Sequence, residues 1–354
     1  MTTWDPAAFR DRVQQVLDAF LDERAVELAP LGPDATRLIA EARTAVAGGK
    51  RFRAAFCHWG YRAIRPEVAD QEALARACAS LEVLHASALV HDDYMDASDT
   101  RRGRPATHRA FEAEHRAAGW RGDPEQYGAA AAILLGDLLL SWSDELLRRC
   151  GLPADRVATA LELFDLCRTE VITGQFLDVS VQARGQADVE AAMTVLRFKS
   201  AKYSIERPLH IGAALAGATP DVLRELTAYG LPLGEAFQLR DDLLGVYGDP
   251  ATTGKPAGDD LVEGKRTVLV ALALDGAPAV DAARLDAALG SPLSADEVAG
   301  LRAIIDASGA HTHVEQVIDD LVELSLTKLD ASSFAEPARQ VLRELASAAT
   351  DRAV

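Results

Sequence analysis

Residues 81–104 read LEVLHASALVHDDYMDASDTRRGR and constrain the fold more than any other stretch. The first half is an apolar helix that other elements have to surround. The second half is a burst of charge that has to meet a ligand or water. His85, Asp92 and Asp96 are spaced i, i+7 and i+11, so they share one helical face, and the two aspartates stand one turn apart. Like charges at that spacing repel. A cation between them relieves the repulsion, and carboxylates so placed are hard ligands suited to Mg²⁺, which also keeps waters and substrate phosphates. Arg101, Arg102 and Arg104 follow at once, and a guanidinium fork suits phosphate oxygens. The plain alternative is a solvated, charged helix end.

The rest of the chain supplies the helices that such a stretch needs. Apolar residues recur at helical spacing over 5–28, where Asp5-Pro6 is a cap followed by proline at the first helical position. Helical patterns follow over 34–47, 50–64, 70–97, 106–118, 125–149, 154–184, 188–200, 203–216 (broken by glycines) and 220–247. The last third, 267–352, is helical with breaks near Gly276, Ser291 and Gly309. The segment 125–149 is apolar on all sides, which predicts neighbours on all sides. No strand alternation persists anywhere, and no repeat of 20–50 residues is present. The expectation is one all-α domain over 1–354, a bundle of ten or more helices around a central cavity.

Charge narrows the partners. The 354 residues carry a formal net charge of −17. That argues against nucleic acid and against an anionic membrane surface, so an anionic substrate needs a local basic patch. No apolar run reaches about 18 residues without charge, so no transmembrane helix is expected. The four cysteines, Cys57, Cys78, Cys150 and Cys167, form no CxxC pair and sit within apolar helical pattern. They read as small buried thiols of a reducing compartment, and the N-terminus has no signal-peptide pattern; a cytoplasmic enzyme is expected.

A second constellation matches the first. Asp241 and Asp242 end a helical pattern that includes Phe237 and Gln238, and a glycine-rich loop with Lys255 and Lys265 follows. Two acidic helix ends, each followed by a basic loop, converge on one site if their helices face each other across a bundle. Upstream, Gly48-Gly49-Lys50-Arg51-Phe52-Arg53 puts two glycines before a helix start, where free N–H groups can meet an anion. Taken alone, a glycine C-cap followed by surface charge explains that segment equally well.

Together these residues resemble the trans-isoprenyl diphosphate synthases, or polyprenyl synthetases, over roughly residues 45–270, and most of all the geranylgeranyl diphosphate synthases. Asp92-Asp93-Tyr94-Met95-Asp96 matches the DDxxD motif, and Gly48 to Arg53 the GGKRxR motif. Lys199-Ser200-Ala201 matches a KTA-like motif. Phe237 to Gly245 matches FQxxDDxxD except that Gly245 replaces the last aspartate. Gly254-Lys255 and Asp259-Asp260-Leu261 through Thr267 match the closing elements.

The resemblance implies a Mg²⁺-dependent prenyltransferase that condenses isopentenyl diphosphate with an allylic diphosphate, and a homodimer. Asp92, Asp96, Asp241 and Asp242 are the implied metal residues. Lys50, Arg53, His85 and Arg102 are implied for isopentenyl diphosphate. Arg101, Lys199, Ser200, Lys255 and Lys265 are implied for the allylic diphosphate, and Gln238 beside the developing cation. Family members that stop at fifteen carbons commonly carry an aromatic four or five residues before the first aspartate. Here Ala88 and Ser87 stand there, with Leu84 and Leu81 further up, so a twenty-carbon product is expected; the other reading makes both small for helix packing and puts the floor near Phe176. Two other functions fit less well. A class I terpene cyclase on the same fold has no use for Lys50, Arg53 and His85 together, and a non-catalytic regulatory subunit has lost more than Gly245 shows. His91-Asp92 also spells the HD pair of metal phosphohydrolases, but His58 and His108 complete no set.

Overall fold

The computed structural model describes residues 4–185, 188–248 and 258–351. Helix α1 (Pro6–Leu28) starts as expected: the Asp5 side chain accepts from the N–H groups of Ala7 and Ala8, and proline follows the cap. After it come α2 (Pro33–Val46), α3 (Phe52–Ile64), α4 (Gln71–Met95), α5 (Thr107–Ala118), α6 (Pro124–Arg148) and α7 (Ala154–Arg184). Then α8 (Val189–Val195) runs without a break into a π-helix, Leu196–Glu206, and on into α9 (Arg207–Ala216). Helix α10 (Pro220–Tyr247) precedes the glycine-rich loop. A single turn, Asp259–Val262, leads to α11 (Val268–Gly276), α12 (Ala279–Ala288), α13 (Ala295–Ala307), α14 (Ala310–Asp330) and α15 (Glu336–Thr350).

Helix α4 is the axis. It is long and apolar enough to cross a membrane by length and composition alone, but most of that apolar window is buried here. It packs against α1, α2, α3 and α6, so protein rather than lipid covers it. Helix α10 stands across from it, lying along the π-helix and α14. Two contiguous buried clusters fill the interior. One is centred on α3, α4, α6 and α9, the other on α10 to α14.

Four sequence expectations need correction. The glycines in 203–216 do not break a helix. Gly212 of α9 lies against the Cys57 carbonyl and Gly60 of α3 against that of Leu209, so a Cβ at either would overlap backbone. They let α3 and α9 approach closely. The expected break near 200–203 is instead a change of helical register. Strand pairing is not wholly absent either, because the basic loop after α4 closes as a minimal antiparallel hairpin, Thr100–Arg101 with Arg104–Pro105. Finally, α6 is not covered on all sides: Leu134 is 63% exposed and Ile133 lies beside it in the open. On neighbouring α7, Leu166, Ile172, Phe176 and Val179 are exposed too, a stripe at helical spacing with Ile172 at 55% and Phe176 at 74%. Phe176 therefore does not floor a cavity within this chain.

Candidate active site

The acidic end of α4 faces two half-buried lysines. Lys199, from the π-helix, lies 3.3 Å from Asp92 Oδ1 and 2.6 Å from Asp178 of α7. Lys265 lies 3.5 Å from Asp96 and 3.4 Å from Asp260, and it is also ion-paired with Glu263. Lys265 thus joins the α4 acids to the acids beyond α10. Burial works against the Asp92 charge, but Lys199, Lys265 and Arg101 outweigh it and hold that carboxyl below its ordinary value. Burial and the neighbouring Asp92 charge push Asp96 up to about 6. Burial disfavours both lysine charges, yet the surrounding carboxylates raise both lysines above their usual range.

A divalent cation fits this arrangement. Asp92 Oδ1 is buried and, among the described residues, accepts no hydrogen bond. The Lys199 ammonium stands 3.3 Å from it without a hydrogen bond of good geometry, and a buried anionic oxygen so weakly matched favours a closer cation. The like-charge penalty on Asp96 points the same way. Among the described residues, no three metal-ligating side chains are close enough to hold one ion together. The lysines stand between the acids.

The second acidic face rests on α10. Gln238 donates its amide Nε2 to Asp242 Oδ1 at 2.8 Å. Asp242 is buried, and burial together with the Asp260 and Asp241 charges pushes its carboxyl well above the ordinary value despite that hydrogen bond. Asp241 is half-buried beside it. The motif's missing side chain has a physical counterpart, because a Cβ at Gly245 would overlap the Asp260 carboxylate. That oxygen pair fills the space the glycine leaves. The motif match that includes Asp260 does not place it beside Gly245; only the packing of the turn Asp259–Val262 on α10 does.

A second basic cluster lies to one side. Arg53 donates to Ser204 Oγ at 2.7 Å and lies 4.3 Å over the Tyr203 ring. The Tyr203 hydroxyl meets His85 Nδ1 at 3.1 Å. Burial and the nearby Arg53, Arg102 and Arg101 charges push His85 well down, so its imidazole is neutral. Lys50 is exposed at the rim. Next to it, Gly49, at φ +90°, leaves room for the Arg102 guanidinium, which donates to the Ala47 carbonyl at 2.6 Å. The structure thus groups Arg53, His85 and Arg102, with Lys50 at the mouth.

Some expected residues are placed differently. Arg101 is forked onto Asp93, with Nε 2.9 and 3.1 Å from the two carboxylate oxygens, so the middle aspartate of DDxxD serves an arginine. Arg51 turns inward, left-handed at φ 57°, to Gln14, the Val46 carbonyl and Glu82. Ser200 is half-buried on the π-helix beside Lys199. Lys255 lies outside the described residues. Of the length ladder, Leu81, Leu84 and Ser87 are buried, and Ser87 donates to the Gly136 carbonyl of α6 at 2.7 Å. Only Ala88 is partly accessible, on the same line of α4 as His85 and Asp92. Asp178 and Tyr203 were not singled out from sequence, because isolated acids and aromatics carry no pattern until the neighbouring helix is known; Asp260 and Glu263 lay within a matched motif but were given no role.

Comparison with known proteins follows the same outline. The sequence model of the family described as polyprenyl synthetase matches residues 36–307. A geranylgeranyl pyrophosphate synthase from Corynebacterium glutamicum, crystallised with isoprenyl diphosphate and magnesium, is 43% identical, with a TM-score of 0.96 over 99% of this chain and 100% of its own. A geranylfarnesyl diphosphate synthase from Natronomonas pharaonis is 33% identical over 82% of this chain and 79% of its own. A short chain isoprenyl diphosphate synthase from Methanothermobacter thermautotrophicus is 32% identical over 94% and 95%.

Proposed function

Since the chain belongs to the polyprenyl synthetase family and is a prenyltransferase, we propose that it joins isopentenyl diphosphate to an allylic diphosphate and releases geranylgeranyl diphosphate. The observation that carries the reading is the pair of separate basic clusters, Lys199 with Lys265 at the acidic end of α4 and Arg53 with His85 and Arg102 to one side. An enzyme that ionises one diphosphate while holding a second needs two such places; a cyclase needs one.

Lys199 and Lys265 hold the allylic diphosphate against Asp92, Asp96 and Asp241, the residues for Mg²⁺, with Asp242 and Asp260 behind them and Arg101 fixed nearby by Asp93. Asp260 takes the place that the second motif leaves empty at Gly245. Bound Mg²⁺ supplies positive charge where the leaving oxygens become negative. The allylic C–O bond breaks, and its electron pair leaves with the diphosphate. The Gln238 side-chain oxygen and the carbonyls of the π-helix face the resulting cation. Arg53, His85, Arg102 and Lys50 hold isopentenyl diphosphate so that its double bond attacks that carbon, and position alone supplies much of the rate. A proton then passes to the released diphosphate, and a new double bond forms.

One chain of 1–354 forms one catalytic unit. Two units pair through the exposed stripe of α6 and α7. The test is incubation with Mg²⁺, labelled isopentenyl diphosphate and each allylic primer in turn, with chromatography of the dephosphorylated products. A twenty-carbon alcohol is expected. A cyclic hydrocarbon made without isopentenyl diphosphate, or no turnover of any primer, would sink the reading.

A further inference from the structure

The π-helix Leu196–Glu206 carries Lys199, and its register decides where that lysine stands. Its last backbone bond runs from the Arg207 N–H to the Lys202 carbonyl, five residues back. The side chains of the same two residues meet one carboxylate. Lys202 donates to Glu170 Oε1 at 2.8 Å; Arg207 donates to Oε2 at 2.6 Å and to Oε1 at 2.8 Å. In an α-helix, residues five apart point about 140° away from each other. In a π-helix they stack. One carboxylate bridges both side chains readily only in the wider register.

Glu170 sits on α7, and that helix reads the π-segment at three points four residues apart. Glu170 takes Lys202 and Arg207. Gly174 lets the backbones touch, since a Cβ there would lie 2.5 Å from the Lys199 nitrogen. Asp178 takes Lys199 at 2.6 Å. Positions i, i+4 and i+8 share a helical face. Burial disfavours the Glu170 charge, but Arg207 and Lys202 outweigh it and hold the carboxyl below its ordinary value.

We propose that Glu170 is a positioning residue that selects the π register over the α register, and so sets Lys199 opposite Asp92. One other cause is in view. Pro208 has no N–H to give Ser204, and its ring would crowd that carbonyl in an α-helix. Pro208 alone explains a widened turn but not why two cations five residues apart share one acid. The consequence for turnover rests on the proposed prenyl transfer; the consequence for the backbone does not.

The experiment is hydrogen–deuterium exchange read by mass spectrometry over 196–207 in Glu170→Gln and Lys202→Gln, beside steady-state kinetics. Exchange in that segment is expected to rise about tenfold or more while the other helices stay as in wild type. The kcat is expected to fall roughly ten- to a hundredfold, with KM for isopentenyl diphosphate unchanged, as a misplaced Lys199 predicts. Lys202→Gln keeps the test valid if Glu170→Gln does not fold, because that side chain is less buried. Wild-type exchange across 196–207 in the folded variants would overturn the proposal and leave Pro208 as the sufficient cause. Exchange that rises equally in every helix would also overturn it, since Glu170 would then be a general stabiliser. Localised loosening in a protein that makes no prenyl product would leave this inference standing and remove the proposed function.

Discussion

At the residue scale, the informative positions are those where one side chain answers another from a different element. Gly245 and Asp260 are such a pair. Gly245→Asp removes a helix-interior glycine, worth only about 0.3 kcal/mol in propensity because aspartate is itself a weak helix former, and drives a second carboxylate into the Asp260 carboxylate. It is expected to weaken the Mg²⁺ dependence of turnover, and Asp260→Ser in the same chain to restore it. A Gly245→Asp enzyme with wild-type Mg²⁺ titration would show that Asp260 does not hold that place. The two basic clusters make a second pair of expectations. Lys50→Ala should raise KM for isopentenyl diphosphate, and Lys199→Ala should impair use of the allylic substrate, because each lysine stands in a different cluster. Damage to one and the same substrate in both variants would contradict the assignment. From sequence, Asp92 and Asp96 were legible because a spacing of four is one helical turn. Asp93 was not, because its role depends on an arginine eight residues on that a hairpin folds back.

At the element scale, the face of α4 matters more than its sequence. Ser87 and Ala88 are adjacent and both small, yet only Ala88 lies on the accessible line with Asp92. Ala88→Phe is expected to shift the product towards fifteen carbons in an enzyme of near wild-type stability. Ser87→Phe is expected to cost about 1–3 kcal/mol by overpacking the contact with α6, and it also removes the Ser87 hydrogen bond to the Gly136 carbonyl. Product analysis and thermal melts of both check this; an unchanged product in a folded Ala88→Phe enzyme would put the growing chain elsewhere. The junction of the π-helix and α9 has its own signature in pH. His210 receives Arg207 at 3.0 Å on Nδ1 and meets the Leu223 carbonyl and the Thr227 hydroxyl through Nε2. Burial and the Arg207 charge push it down to about 4 from an ordinary 6.5, against the Leu223 bond and the Glu170 charge, with Lys202 adding to the lowering. Below 6.5 the unfolded chain takes a proton that the folded chain refuses, so stability is full above 6.5 and falls as the pH drops towards 4. The loss is about 2 kcal/mol at pH 5. The fall in melting temperature between pH 7 and pH 5 should therefore be smaller in His210→Gln; an identical fall would exclude His210 as its source.

At the scale of the whole molecule, an acidic protein leaves an apolar stripe uncovered. Leu134 on α6 with Ile172 and Phe176 on α7 form a surface that water disfavours and that a second copy would cover symmetrically. Ile172→Glu with Phe176→Glu is expected to convert a dimer to a monomer, read by light scattering. A wild-type monomer, or a dimer that survives both charges, would place the interface elsewhere. The apolar 125–149 segment misled because an all-round apolar helix predicts cover on every side, whereas within this chain Ile133 and Leu134 stay exposed.

Local rules were enough to show an all-helical chain, its caps, its two acidic helix ends and their basic neighbours, because these depend on spacings of three, four and seven along one helix. Other features depend on which helix lies alongside, and only the tertiary structure decided them. Asp260 fills the space at Gly245 because the turn Asp259–Val262 packs on α10. Ser87 packs on α6 because α4 is rotated that way. The π register persists where α7 offers Glu170, Gly174 and Asp178 in line. Periodicity reports the face of an element; the identity of what meets that face is set by packing.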